Sequence, residues 1–119
     1  MNKNEIVQYF VVNSDVKMSA GKIAAQVAHA ETMILIDLFL FKEIKESMKL
    51  LWDWYNNYEQ KKIILRGKEK DLIKLIDEGF YGVVDSGYTE ILKGTITVVG
   101  LPPITRNEAQ KYIKRLQLL

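Results

Sequence analysis

Ile6-Val7-Gln8-Tyr9-Phe10-Val11-Val12-Asn13-Ser14-Asp15 decides the fold, together with the segment Gly21 to Leu40 that follows it. The apolar run Ile6 to Val12, stopped by polar turn residues, predicts a buried strand. Gly21 to about Leu40 then reads as a long helix, with Ile23, Val27, Ala30 and Ile34 recurring at i, i+4, i+7 and i+11 toward a core. A second helix is expected from about Glu43 to Tyr58, burying Leu50, Leu51 and Trp54 and leaving Lys42, Lys45 and Lys49 as a solvated stripe. Lys61 to Arg66 encloses Ile63-Ile64-Leu65 and predicts a strand, followed by a short helix from about Glu69 to Glu78 that Gly79 terminates. Tyr81 to Val84 is a short strand, Asp85 to Lys93 a loop, and Thr95 to Val99 a β-branched strand. After Pro102 and Pro103, Thr105 with Glu108 three residues later forms a capping box that starts a last helix running toward Leu116. Strands alternating with helices in this order predict an α/β layer fold, with helices covering a small, mostly parallel or mixed sheet. The strand order stays open.

The 119 residues suffice for one domain, residues 1–119, with a single core. Hydrophobic residues at 48% and charged residues at 27% exclude wholesale disorder. No uninterrupted apolar run reaches the roughly 18 residues of a spanning helix, and Met1-Asn2-Lys3-Asn4-Glu5 lacks the apolar core of a signal peptide. A cytoplasmic protein with no membrane partner is therefore expected. The absence of cysteine excludes disulfides, thiolate nucleophiles and cysteine-ligated zinc. A single His leaves a metal site short of ligands, so neither a metal nor a cofactor is expected. The serine-hydrolase pattern G-x-S-x-G and the zinc-protease pattern H-E-x-x-H do not occur.

The net charge of +2 is unevenly spread. Residues 1–60 hold six Lys against eight acids, a balance of −2, and residues 61–119 hold eleven Lys and Arg against seven acids, a balance of +4. Lys61, Lys62, Arg66, Lys68 and Lys70 fall within ten residues, a density suited to a phosphate backbone or, equally, to a solvated strand end and helix start.

The turn Lys17-Met18-Ser19-Ala20-Gly21-Lys22 leads into the least ordinary helix. From Ile23 to Ala30 it carries no formal charge, and Ala24, Ala25, Ala28 and Ala30 are small enough for another backbone to approach, so this half is expected to be largely covered. Lys22, Gln26 and His29 line up at i, i+4 and i+7 on a separate face. Gln26 and His29 each have an ordinary reading as satisfied side chains. Lys22 is more telling, because a cation in the first turn opposes the helix dipole at a cost of a few tenths of a kcal/mol, roughly. With Gly21 and free backbone N–H groups it would make an anion site. Gly21 is the one glycine of this segment, which excludes the phosphate-binding loop G-x-x-x-x-G-K-[ST]. Asp85-Ser86-Gly87 is either a plain turn or, with Thr89, a carboxylate and a hydroxyl on one exposed loop.

The run from Val11 to Ala30, reading VVNSDVKMSAGKIAAQVAHA, resembles the opening signature of type II peptidyl-tRNA hydrolases. The likeness resumes at Gln60 to Leu65, at Asp85-Ser86-Gly87-Tyr88-Thr89-Glu90, at Gly94-Thr95-Ile96-Thr97 and at Leu116-Gln117-Leu118-Leu119, always in the family's order. It implies a cytosolic hydrolase that cuts the ester joining a peptide to the 3′ end of tRNA, on a mixed four-stranded sheet flanked by helices on both faces, commonly as a homodimer. By position it puts the catalytic group on Lys22, Asp85, Thr89 and Thr97, with Gln26, His29 and Gly21 beside them. Asp85 would hold the water, Lys22 would stabilise an oxyanion or phosphate, Thr89 and Thr97 would fix the ester, and His29 would support. Lys61, Lys62 and Arg66 would meet tRNA phosphates.

The chain departs from the family's pattern at several places. Ala20 stands where a second lysine often precedes the glycine, and Asn13 replaces a usual basic residue after the first strand. Glu59 replaces a glycine, Leu92-Lys93 a proline-containing pair, and Gln110, Ile113 and Lys114 the Asp and Thr-Gly of the last helix. The stretch between Gln60 and Asp85 is shorter than usual by about two helical turns. Three readings follow: an active, divergent peptidyl-tRNA hydrolase; a non-catalytic relative that binds tRNA or protein; and a hydrolase of another acyl ester.

Overall fold

A computed structural model describes residues 3–41, 45–87 and 94–119. In chain order the elements are β1 (Ile6–Asn13), α1 (Ala20–Leu40), α2 (Lys45–Asn57), β2 (Lys62–Gly67), α3 (Glu69–Asp77), β3 (Tyr81–Val84), β4 (Ile96–Gly100), β5 (Ile104–Thr105), α4 (Arg106–Ile113) and β6 (Gln117–Leu118). β1 is buried along its whole length because it is central: the sheet order is β3-β4-β1-β2-β6, with the short β5 also paired to β1. β1 runs parallel to β2, in the register Phe10 opposite Ile64, and antiparallel to β4. β3 is antiparallel to β4 and therefore parallel to β1.

Strand alternation divides the core in two. Phe10 and Val12 of β1 meet Ala30, Ile34 and Leu38 of α1 and Leu51 and Trp54 of α2 on one face. Val7, Tyr9 and Val11 meet Leu72 and Leu75 of α3 and Ala109 and Ile113 of α4 on the other. Helices thus flank a mixed sheet on both faces, as expected. The sheet has six strands, however, and not four. β5 and β6 are two residues each, too short to show an alternation; β5 pairs the start of β1, which β4 does not reach, and β6 pairs the outer edge of β2, on either side of α4. The last helix consequently stops at Ile113.

The buried stripe of α1 also differs from the periodicity. Gln26, Ala30, Ile34 and Leu38 are buried, while Ile23 and Val27 are half-buried at the rim of the core. A polar partner on β4, described below, turns Gln26 inward and rotates the stripe. Ala24, Ala25 and Ala28 are left exposed, so the covered helix half expected from its composition is not covered within one chain.

By length and mean hydropathy α1 is a helix capable of crossing a membrane, a property that the uninterrupted-run criterion had missed. Its placement is that of a layer of the domain. Glu31 accepts a 2.8 Å bond from Gln8 of β1, and Asp37 accepts one from the Tyr81 hydroxyl of β3.

Candidate active site

The carboxyl ends of β1 and β3 lie at one edge of the sheet, and α1 begins there. Ser19 caps that helix: its hydroxyl oxygen accepts from the Lys22 backbone N–H at 3.2 Å. Lys22 is then in the first turn, and its ammonium donates to Asp85 Oδ1, forming an ion pair whose side chains are only 10% and 3% exposed. The carboxylate supplies the offset that a cation at this helix end requires.

Asp85 is held from several sides. Its Oδ2 accepts from the Gly87 N–H at 2.8 Å, in a turn where Gly87 has a φ of 84°, a conformation that favours glycine. Its backbone N–H donates to Thr95 O at 2.8 Å and its carbonyl accepts from Gly94 at 2.9 Å, which ties the end of β3 to the approach to β4. The Lys22 ammonium holds the Asp85 carboxyl below the usual carboxylate range; burial opposes that shift and the Gly87 N–H assists it. Asp85 is buried, and the exposed loop carboxylate expected from Asp-Ser-Gly is instead a fixed one.

One turn along α1, Gln26 donates from Nε2 to Thr97 Oγ1 at 2.8 Å, and that hydroxyl donates in turn to Val83 O at 3.3 Å. Thr97 has no exposed surface. Its hydroxyl is engaged inside the fold by Gln26 and the Val83 carbonyl, and it is Gln26 that lies in the wall of the cleft. His29 is exposed a further turn along. Lys22, Gln26, His29 and Asp85 line one open cleft of about 460 Å³, with Met33, Gly82, Val83, Val84 and Ser86 completing its walls.

The remaining predicted residues are distributed differently. Thr89 lies outside the described residues. Gly21 is exposed in the first turn of α1, with open space where a side chain would be. Lys61 pairs with Glu5, and Lys62 lies 4.9 Å from the centre of the Trp54 ring, both at the amino end of β2. Arg66 is at the opposite end, about 13 Å of strand away, donating to Gln117 Oε1 at 2.6 Å. The structure thus gathers Lys22, Gln26, His29 and Asp85 and leaves Lys61 and Lys62 apart. Ser19 was readable as a helix cap from its residue type; Met33 and Ser86 carried no comparable signal.

The model of the family described as peptidyl-tRNA hydrolase PTH2 matches residues 6–119. The chain belongs to this family. All described residues of the cleft fall within the match to the peptidyl-tRNA hydrolases. Among its relatives, a peptidyl-tRNA hydrolase of Staphylothermus marinus is 30% identical over 125 residues, covering 100% of this chain and 99% of the relative. One from Methanopyrus kandleri is 35% identical, covering 94% and 97%, and one from Saccharolobus solfataricus is 34% identical, covering 96% and 99%.

Proposed function

We propose that this protein hydrolyses the ester joining a peptide, or an N-blocked amino acid, to the 3′ end of tRNA and so frees the tRNA for reuse. The observation that carries the reading is the shielded Lys22–Asp85 pair in the wall of an open cleft. The oxygen of a water bonds to the ester carbonyl carbon, the bond from that carbon to the ribose oxygen breaks, and a proton passes to the departing oxygen. The Asp85 carboxylate orients the water and accepts its proton. The Lys22 ammonium donates to the oxygen that becomes negative in the transition state. Gln26, set by Thr97, and His29 hold the ester against them, with Thr89 as a further hydroxyl. Arg66 meets a tRNA phosphate; Lys61 and Lys62, at the other end of β2, would reach only a more distant part of the same substrate.

One observation favours the alternative of a non-catalytic tRNA- or protein-binding relative. Lys22 and Asp85 satisfy one another, and such a pair would also serve as a plain link between α1 and the end of β3. Release of N-acetyl-amino acid from N-acetyl-aminoacyl-tRNA separates the two. Turnover by the wild type that is lost in Lys22→Ala and Asp85→Ala supports the enzyme, whereas binding without turnover leaves the alternative. A preference for esters without tRNA points to another acyl ester as substrate.

A cytoplasmic homodimer belongs to the same proposal. Ala20, Ile23, Ala24 and Val27 of α1 face Ile64, Leu118 and Leu119 across an apolar groove, and the small side chains permit close approach by a second copy. Sedimentation equilibrium at twice the chain mass is the expected result, and a monomer at micromolar concentration is the contrary one.

A further inference from the structure

We propose that Arg66, Lys68, Lys70 and Arg115 form a second, purely electrostatic pocket that holds a phosphate of the tRNA strand whose 3′ end lies in the Lys22–Asp85 cleft. This rests on the hydrolase reading above and adds to it a direction for the nucleic acid.

The four cations come from the end of β2, the start of α3 and the segment after α4, and together with Ser14 and Gln117 they line a concavity of about 440 Å³. Asp71, the acid that lines the concavity, and Asp15 beside it are engaged with the backbone. Asp71 Oδ2 accepts from the Lys68 N–H at 2.9 Å, and Asp15 Oδ2 accepts from the Glu69 N–H at 2.9 Å. Among the described residues Lys68, Lys70 and Arg115 form no ion pair, and the Arg66 partner is the neutral amide of Gln117. All four side chains are exposed. Elsewhere the basic residues are more often answered: Lys61 and Arg106 share Glu5, and Lys111 has Glu108.

Topology places this pocket on the same edge as the cleft. Asp85 follows β3, Ser14 follows β1 and Lys68 follows β2, and these three strands run parallel. With β4 and β1 between them, β3 and β2 are three strand spacings apart, about 15 Å. The edge between them is continuous: Asp85 is bonded to Thr95, Asn13 to Ile96 and Ser14 to Gly67. Fifteen ångströms, roughly, is a span of a few nucleotides, and open α/β sheets bind ligands outside the carboxyl ends of their strands. Exposed cations hold one anion weakly, but a polyanion engages several at once and releases its counterions, which gives affinity without sequence preference.

The test uses the full chain and uncharged tRNA, with anisotropy titrations over about 0.05 to 0.3 M KCl. Lys68→Ala/Lys70→Ala/Arg115→Ala is expected to reduce the slope of log affinity against log salt by about two to three. With N-acetyl-aminoacyl-tRNA it raises KM about tenfold or more and changes kcat little. Lys68→Arg/Lys70→Arg/Arg115→Lys, which keeps the charges, is expected to restore the slope, and inorganic phosphate at the same ionic strength is expected not to compete. Lys45→Ala/Lys49→Ala, which removes cations from α2, should leave the slope as it is. An unchanged slope and KM in the triple alanine variant, or an equal loss in the α2 variant, overturns the pocket. A wild type that cleaves while the triple variant keeps its slope sinks the pocket alone. A wild type that binds with the expected difference but does not cleave sinks the hydrolase reading alone.

Discussion

Two lysine–carboxylate pairs stand at opposite edges of the sheet, and their chemistry is nearly the same. In each, the lysine ammonium holds its partner carboxyl below the usual range, Lys22 for Asp85 and Lys61 for Glu5. Their surroundings differ. Lys22 and Asp85 are 10% and 3% exposed in the wall of a cleft, whereas the Lys61 side chain is 47% exposed and Glu5 also receives Arg106 at 3.2 Å. The first pair brings a helix start to a strand end and leaves room beside it. The second ties the starts of β1, β2 and α4 together and encloses nothing. A displaced titration is therefore not by itself a mark of catalysis; the space next to the group decides.

The largest expected effect breaks the symmetry directly. Asp85→Asn lowers kcat/KM for N-acetyl-aminoacyl-tRNA by about 10² to 10⁴, while Glu5→Gln leaves it within about twofold, since Glu5 lies at the far edge. Equal losses in both would show that the pairs are alike after all.

Lys22→Met comes next, with a loss of about 10² to 10³ from the missing oxyanion donor. It carries a second readout. Lys22 lowers the Asp85 pKa, so in the wild type the carboxylate stays charged as the pH falls through the ordinary carboxyl range. Without the ammonium, burial acts unopposed except for the Gly87 N–H, and the acid limb of residual activity moves to higher pH. An acid limb that stays in place would remove Lys22 from control of Asp85.

A smaller effect separates facing the substrate from positioning. Thr97→Val breaks the bond to Gln26 inside the core and should cost about 1 to 3 kcal/mol of stability. Activity should fall about tenfold as Gln26 loses its orientation, and Thr97→Ser, which keeps the hydroxyl, should restore most of it. Failure of the serine variant to restore activity would point to packing by the methyl group.

Stability against acid gives the smallest change. Both carboxyl groups have lowered folded-state pKa values, so each pair stabilises fully above the unfolded-state carboxyl pKa and is lost as pH falls through the folded value. Glu5→Gln should reduce Tm by a few degrees at most near neutrality. That difference should close in strong acid, as followed by thermal melts across pH. A difference that persists there would mean Glu5 acts by packing.

Much of this was legible in the sequence, for identifiable reasons. Ile6 to Val12 is apolar at every position but Gln8 because β1 is central and covered on both faces, and the alternation of strands and helices then required layers. The Lys22–Asp85 meeting was reachable only through family likeness, since 63 residues separate the partners and the order of the strands brings them together. Thr97 was singled out by family likeness, while the engagement of its hydroxyl by Gln26 and the Val83 carbonyl depends on how α1 packs on β4, which residue type does not show. The exposed alanines of α1 were misjudged because composition records that a face is apolar, not what lies against it. The basic run Lys61 to Lys70 was read as one feature, yet β2 carries its two ends to opposite edges of the sheet.

Asn13 has a consequence for how this sequence can change. Its side chain is 1% exposed, donates to Ile96 O at 2.8 Å and accepts from the Asp15 N–H at 2.9 Å. A lysine or arginine here would place an ion in a slot fitted to a neutral amide, at a cost of roughly several kcal/mol by the measure of a charge taken out of water. A single substitution to a basic residue at this position is therefore costly. Positive charge is added more readily at exposed positions along the same sheet edge, where an added lysine needs no room made for it.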